Sequence, residues 1–244
     1  MQRQHPKGSG GAGAADVNEW RGRALSRMGQ AAFAVHGDAS AYAVVCALQS
    51  GGAASTLTAN LASARYVAET GDSGDAASNW VSAGAIANYP VTSLSGQDFT
   101  DAADAHAAAD AAGKTTLINA FVRGGTWATH KTWITDFGAV FEAAGLEFYQ
   151  YECSWQSGDW ADGTTNEQAF KQASVYAPDL VYLYMDLWRH FREAGGVGPA
   201  VFCTSGTTQW AVLPGNVYNS TPTTMWDVME FERLKRRRMR LVLN

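Results

Sequence analysis

The run Leu146-Glu147-Phe148-Tyr149-Gln150-Tyr151-Glu152-Cys153-Ser154-Trp155 decides how the chain is read, because a β-rich stretch stops on a carboxylate and then opens into a polar loop. Gly145 ends the helical pattern before it, so the strand starts at once. After it, residues 156–166 carry Asp159, Trp160 and Asp162. A carboxylate at the C-terminal end of a strand, flanked by aromatic side chains, suits sugar chemistry. The plain alternative is a solvated or salt-bridged loop acid.

Working outward, Trp133, Phe137, Val140, Phe141 and Ala144 form a helical stripe that runs into Gly145. On the far side, Leu180, Leu183, Tyr184, Leu187, Trp188 and Phe191 form a second stripe that ends at Gly195-Gly196 and leads to the apolar run 199–203. Two more apolar runs lie upstream. Residues 42–48 lack strict alternation, as in a parallel strand covered on both faces, and residues 80–87 end at Asn88-Tyr89-Pro90, where proline forbids further ladder pairing. Between them Leu57, Leu61, Ala64 and Ala68 recur at helical spacing, and Asp98 to Ala112 and Leu117 to Val122 read as helical additions. Trp20 to Val35 forms a first helix with Asn18 as its candidate N-cap. A last helix falls near Met225 to Leu234.

This alternation of helices and strands predicts an α/β fold, a parallel β-sheet with alternating helices that either stays open or closes into a barrel. In both, the functional rim lies at the strand C-termini. Gln49, Asn88, Tyr89, Glu152, Trp155 and Trp210 fall there. Gly51-Gly52 has neither dinucleotide nor Walker spacing, which disfavours a nucleotide fold.

With 244 residues, 46% of them hydrophobic and 17% charged, the chain can bury an ordinary core. No run of 18 apolar residues exists, so no membrane span is expected. Residues 233–244 hold six cations and no acid, leaving 12 cations against 23 acids elsewhere. An acidic body argues against nucleic-acid binding. The basic tail reads as a solvated run or as a patch for nucleic acid or membrane. Residues 1–15, rich in glycine, are expected to form a flexible leader, so the single α/β domain is expected over 16–232.

Tyr151-Glu152-Cys153-Ser154-Trp155 resembles the Tyr-Glu-Gly-Gly type of segment in bacterial cellulase-like proteins. With Asn88-Tyr89 and Trp210, it is similar to the C-terminal part of a (β/α)8 TIM-type barrel glycoside hydrolase of the retaining cellulase and β-galactosidase clan. The resemblance covers roughly residues 20–231 and implies a partial or complete barrel. In that clan the seventh strand ends on the nucleophile, which implies Glu152. The sixth strand places a tyrosine hydroxyl beside it, which implies Tyr89, and the eighth leads to a tryptophan platform, which implies Trp210. Asn18-Glu19 matches the order of the clan's acid/base motif, though Glu19 reads equally as a first-turn acid favoured by the helix dipole. Trp155, Trp160, Asn88 and Gln49 complete the implied carbohydrate site.

The implied chemistry is retaining hydrolysis of a β-linked glycoside with two carboxyls about 5 Å apart, needing no cofactor and no metal. The first strands of such a barrel have no room in the chain, so self-association or a partner chain completing the sheet is expected. Two rivals remain. Cys46, Cys153 and Cys203, each at a strand end, with His130 or His106, make a candidate zinc or nucleophile site. A non-catalytic carbohydrate-binding or assembly protein on a partial barrel is the other.

Overall fold

A computed structural model describes the backbone of residues 12–49, 53–198, 203–206 and 211–214, and side chains within 17–48 and 53–198. The first helix, α1, spans Ala12–His36. It therefore begins inside the stretch expected to be a leader, and Asn18 lies in its interior rather than capping it. Strand β1 (Val45–Gln49) follows, then α2 (Ala54–Ala62) and α3 (Ala64–Thr70), then β2 (Ala83–Asn88). The break between α2 and α3 falls at Ser63, whose left-handed φ of 39° turns the chain. Its hydroxyl accepts the Ala77 amide at 2.9 Å, which pins that turn.

Helices α4 (Gln97–Ala108) and α5 (Ala111–Arg123) replace the single Ala-rich helix and its extension, because Asp110 caps a new start by accepting the Gly113 amide. Helix α6 (Trp127–Ala143) carries the first stripe into β3 (Glu147–Cys153). Helix α7 (Thr165–Ser174) starts at the end of the loop expected over 156–166 and was not itself expected, and α8 (Leu180–Glu193) carries the second stripe. A Thr164/Glu167 capping box starts α7, and that signal stands openly in the sequence. Among the described residues no helix is long and apolar enough to cross a membrane.

Strands β1, β2 and β3 form one open parallel sheet in that order. Closure into a barrel is not shown. Past α8, Gly196 bridges Phe148 in parallel sense, and the Val197 amide donates to the Phe148 carbonyl at 2.7 Å, so the chain starts up the free edge of β3. Residues 199–202, where a fourth strand was expected, lie outside the described residues, as do the helix near 225–234 and the basic tail. Strands β4 (Cys203–Gly206) and β5 (Ala211–Pro214) pair with each other in parallel, apart from the three-stranded sheet.

One face of the sheet carries Cys46, Gly84, Ile86 and Phe148, and the helices cover it. A Cβ on Gly84 would lie 1.9 Å from the Phe141 ring, so glycine is what lets α6 press against β2. Phe141 and Phe191 then close on Phe148 with ring centroids 5.3 and 4.8 Å away. The opposite face carries Val45, Ala47, Ala83, Ala85, Glu147 and Tyr149. Val45 is 43% exposed, whereas Ala83 and Ala85 are buried.

Candidate functional site

At the C-terminal edge of the sheet the pairing of β2 with β3 is irregular. Ile86 pairs with Gln150 but Ala87 pairs with Glu152, so Tyr151 is an extra residue in β3. Strict alternation would put Glu152 on the same face as Phe148 and Gln150, under the helices. The bulge reverses the phase, so Glu152 joins Ala85 and Ala87 on the face opposite α6, and Cys153 returns to the core with 0% exposure. A single inserted residue thus takes a carboxylate out of the core.

Tyr89, the first residue after β2, donates its hydroxyl to Glu152 Oε2. Partial burial and the neighbouring carboxylate both push the Tyr89 phenol far above its ordinary value, so it stays protonated and acts as a donor. Beneath it Asn88 is fully buried on the helix-covered face, and its Oδ1 lies 3.1 Å from His130 Nδ1. Asn88 Nδ2 has no partner among the described residues. Burial lowers the His130 imidazole to about 4, against a smaller opposing hydrogen bond to the Tyr89 backbone, so the ring is neutral. In the neutral ring a protonated Nδ1 donates to Asn88. Trp133 packs edge-on against the same ring at 4.7 Å.

The loops beyond the strands hold this rim in place. The Ser154 amide donates to the Asn88 carbonyl at 3.2 Å, and the Gln156 amide donates to the Pro90 carbonyl at 2.9 Å. On the other side the Thr126 amide donates to the Val91 carbonyl at 3.0 Å, which ties the start of α6 to the end of β2.

Of the residues expected at the site, Tyr89 and Glu152 come together, whereas the Asn88 side chain is buried on the opposite face against His130. Trp155 does not form a sugar platform. It is 1% exposed, its indole N–H donates to Ser174 at 3.0 Å, and its ring stacks on Trp127 at 5.8 Å. Trp160 is half-buried, packs against the core and donates to Ser157 Oγ at 2.9 Å. Gln49 sits at the end of β1, with its backbone opposite Ala87. Trp210 lies outside the described residues.

Glu19 is placed elsewhere. Its carboxylate accepts the Arg65 amide at 3.1 Å in the first turn of α3, within a cleft lined by Trp20, Arg23, Tyr66 and Glu69. That is capping by a carboxylate from a neighbouring helix, not the first-turn role in its own helix expected of this residue, since Glu19 lies in the interior of α1.

The cysteine rim divides as well. Cys46 and Cys153 are free and buried, and burial pushes their thiols up to about 11 and about 12. Neither is a nucleophile in that state. The Cys203 side chain lies outside the described residues. Among the described residues no three His, Cys, Asp or Glu side chains group to hold a metal ion.

His130, expected only as a possible partner of the cysteines, is instead a buried residue that holds Asn88 on the core side. The signal was present, because His130, Ile134, Phe137 and Phe141 follow one helical face toward the sheet. No family model matches the chain, and neither a curated protein nor a solved structure matches it.

Proposed function

We propose that the chain hydrolyses β-linked glycosides, with Glu152 as the nucleophile and Tyr89 holding the attacking carboxylate. The observation that carries this reading is the Tyr89–Glu152 hydrogen bond at the ends of neighbouring parallel strands. A protonated phenol leaves one carboxylate oxygen bound and the other free to attack an anomeric carbon. Attack forms the C–O bond of a glycosyl-enzyme as the bond to the leaving oxygen breaks, and water later returns the sugar with net retention.

A retaining course also needs an acid. Since Glu19 caps α3, that proton has to come from solvent or from a carboxylate contributed by another part of the assembly. Turnover is therefore expected to be confined to substrates with good leaving groups, such as 2,4-dinitrophenyl β-glycosides. On these, Glu152→Gln is expected to lower kcat by about a thousandfold, roughly 4 kcal/mol of transition-state stabilisation, with the circular-dichroism spectrum unchanged. Azide should not restore that loss, because an amide blocks the position, whereas Glu152→Gly with azide should return a glycosyl azide of inverted configuration. Wild-type turnover that survives Glu152→Gln would refute the mechanism.

The placement of Glu19 also favours a second reading, in which the rim binds carbohydrate without cleaving it. Saturable glycan binding by wild type, lost in Tyr89→Phe and accompanied by no turnover of any activated glycoside, would select it.

A further inference from the structure

A second cavity lies between α1 and β1 and reaches Tyr151 of β3. It measures about 670 Å³, which is the size of a small-molecule site. Glu152 and Tyr89 do not line it. Leu25 and Met28 from α1, Leu48 from β1 and Phe137 from α6 make its walls apolar.

Its polar groups share one preference. Arg21 lines the cavity and has no ion-pair partner among the described residues, and its charge reaches the floor, where it opposes the effect of burial on the Cys46 thiol. Helix α2 starts at the same wall, with Ala53 as its N-cap and, among the described residues, no side chain bonded to its first amides. Uncapped N–H groups and the helix dipole favour an anion there.

Asn60, the third polar group, is 1% exposed and lines the cavity, yet neither Nδ2 nor Oδ1 has a hydrogen-bond partner. An amide buried in that condition costs stability unless something completes it. The close crossing of α1 and α2 keeps it there, because a Cβ on Gly22 would come within 2.4 Å of the Asn60 carbonyl oxygen. A cation, a helix N-terminus and an unsatisfied amide around an apolar cavity all call for the same partner.

We propose that the α1–β1 cavity binds a small organic carboxylate with an apolar body, its anionic head held by Arg21 and the start of α2 and completed by the Asn60 amide. Tyr151 lines this site but Glu152 and Tyr89 do not, and the assignment does not depend on the glycosidase reading.

Octanoate serves as the probe, titrated calorimetrically into the full chain, with octan-1-ol and acetate as the single-feature controls. The expected result is saturable one-to-one binding of octanoate, weakened at high salt, with octan-1-ol and acetate each at least tenfold weaker. Arg21→Gln alters an exposed side chain and should keep the fold while weakening octanoate at least tenfold. Asn60→Leu separates ligand holding from structure. If the amide is held for a ligand, the apolar replacement removes binding while Tm stays level or rises. A lowered Tm would mean the amide is satisfied within the fold, and it would overturn the assignment. So would the absence of saturable heat with octanoate in wild type, or undiminished affinity in Arg21→Gln.

Discussion

His130 shows how one buried side chain links the site to stability. Its imidazole is 4% exposed, and burial holds it at about 4, against the ordinary 6.5 of an unfolded chain. Between these values the unfolded chain carries a proton that the folded chain does not. Unfolding therefore takes up a proton, and stability falls as pH drops from 6.5 toward 4. The loss attributable to this ring is on the order of 3 kcal/mol across the window. Urea denaturation at pH 7 and pH 4.5 checks it, with His130→Gln retaining a donor toward Asn88. The stability difference between the two pH values is expected to be about 2 kcal/mol smaller in the variant. An equal difference in both proteins would mean that His130 is solvated in the fold.

At the level of elements, the docking of α6 on β2 rests on a missing side chain. Gly84→Ala would drive a methyl group into the Phe141 ring, and neither the strand nor the packed helix has room to retreat. Thermal or chemical denaturation of this variant is expected to show a loss of about 3 kcal/mol or more. Adding Phe141→Leu should recover part of it, because the two changes compete for one space. At the start of α7, Thr164→Ala removes the acceptor for the Glu167 amide and opens the capping box. It should cost about 1 kcal/mol by chemical denaturation.

These two cases also mark what was legible at this scale. The stripes on α6 and α8, the first three apolar strands and the Gly145 boundary follow from periodicity and turn chemistry, and these are found in place. The α7 capping box was equally readable from Thr164 and Glu167. Gly84, by contrast, reads as a neutral interruption in β2 until the partner that presses on it is known.

For the whole molecule, the described residues form a three-stranded sheet with an unpaired β1 edge and partly exposed apolar side chains. Val45 on edge strand β1 is 43% exposed, and Tyr182 on α8 is 73% exposed. Unpaired strand edges favour pairing with another chain. Self-association is expected on that ground, and light scattering at high micromolar concentration should return a mass above that of one chain. A monodisperse monomer under those conditions would speak against it.

What the sequence determined by itself was local: which segments are helical, which are buried parallel strands, and that Tyr89 and Glu152 end neighbouring strands. Hydrophobic period, glycine and proline positions and capping residues carry that information within a few residues of each other. What the tertiary structure decided was the side on which each polar group falls. The extra residue at Tyr151 sends Glu152 to the face opposite α6, stacking on Trp127 takes Trp155 into the core, and α3 takes Glu19 for its own first turn. Each outcome depends on a neighbour distant in sequence, and strand register and helix docking select that neighbour only once the whole core has packed.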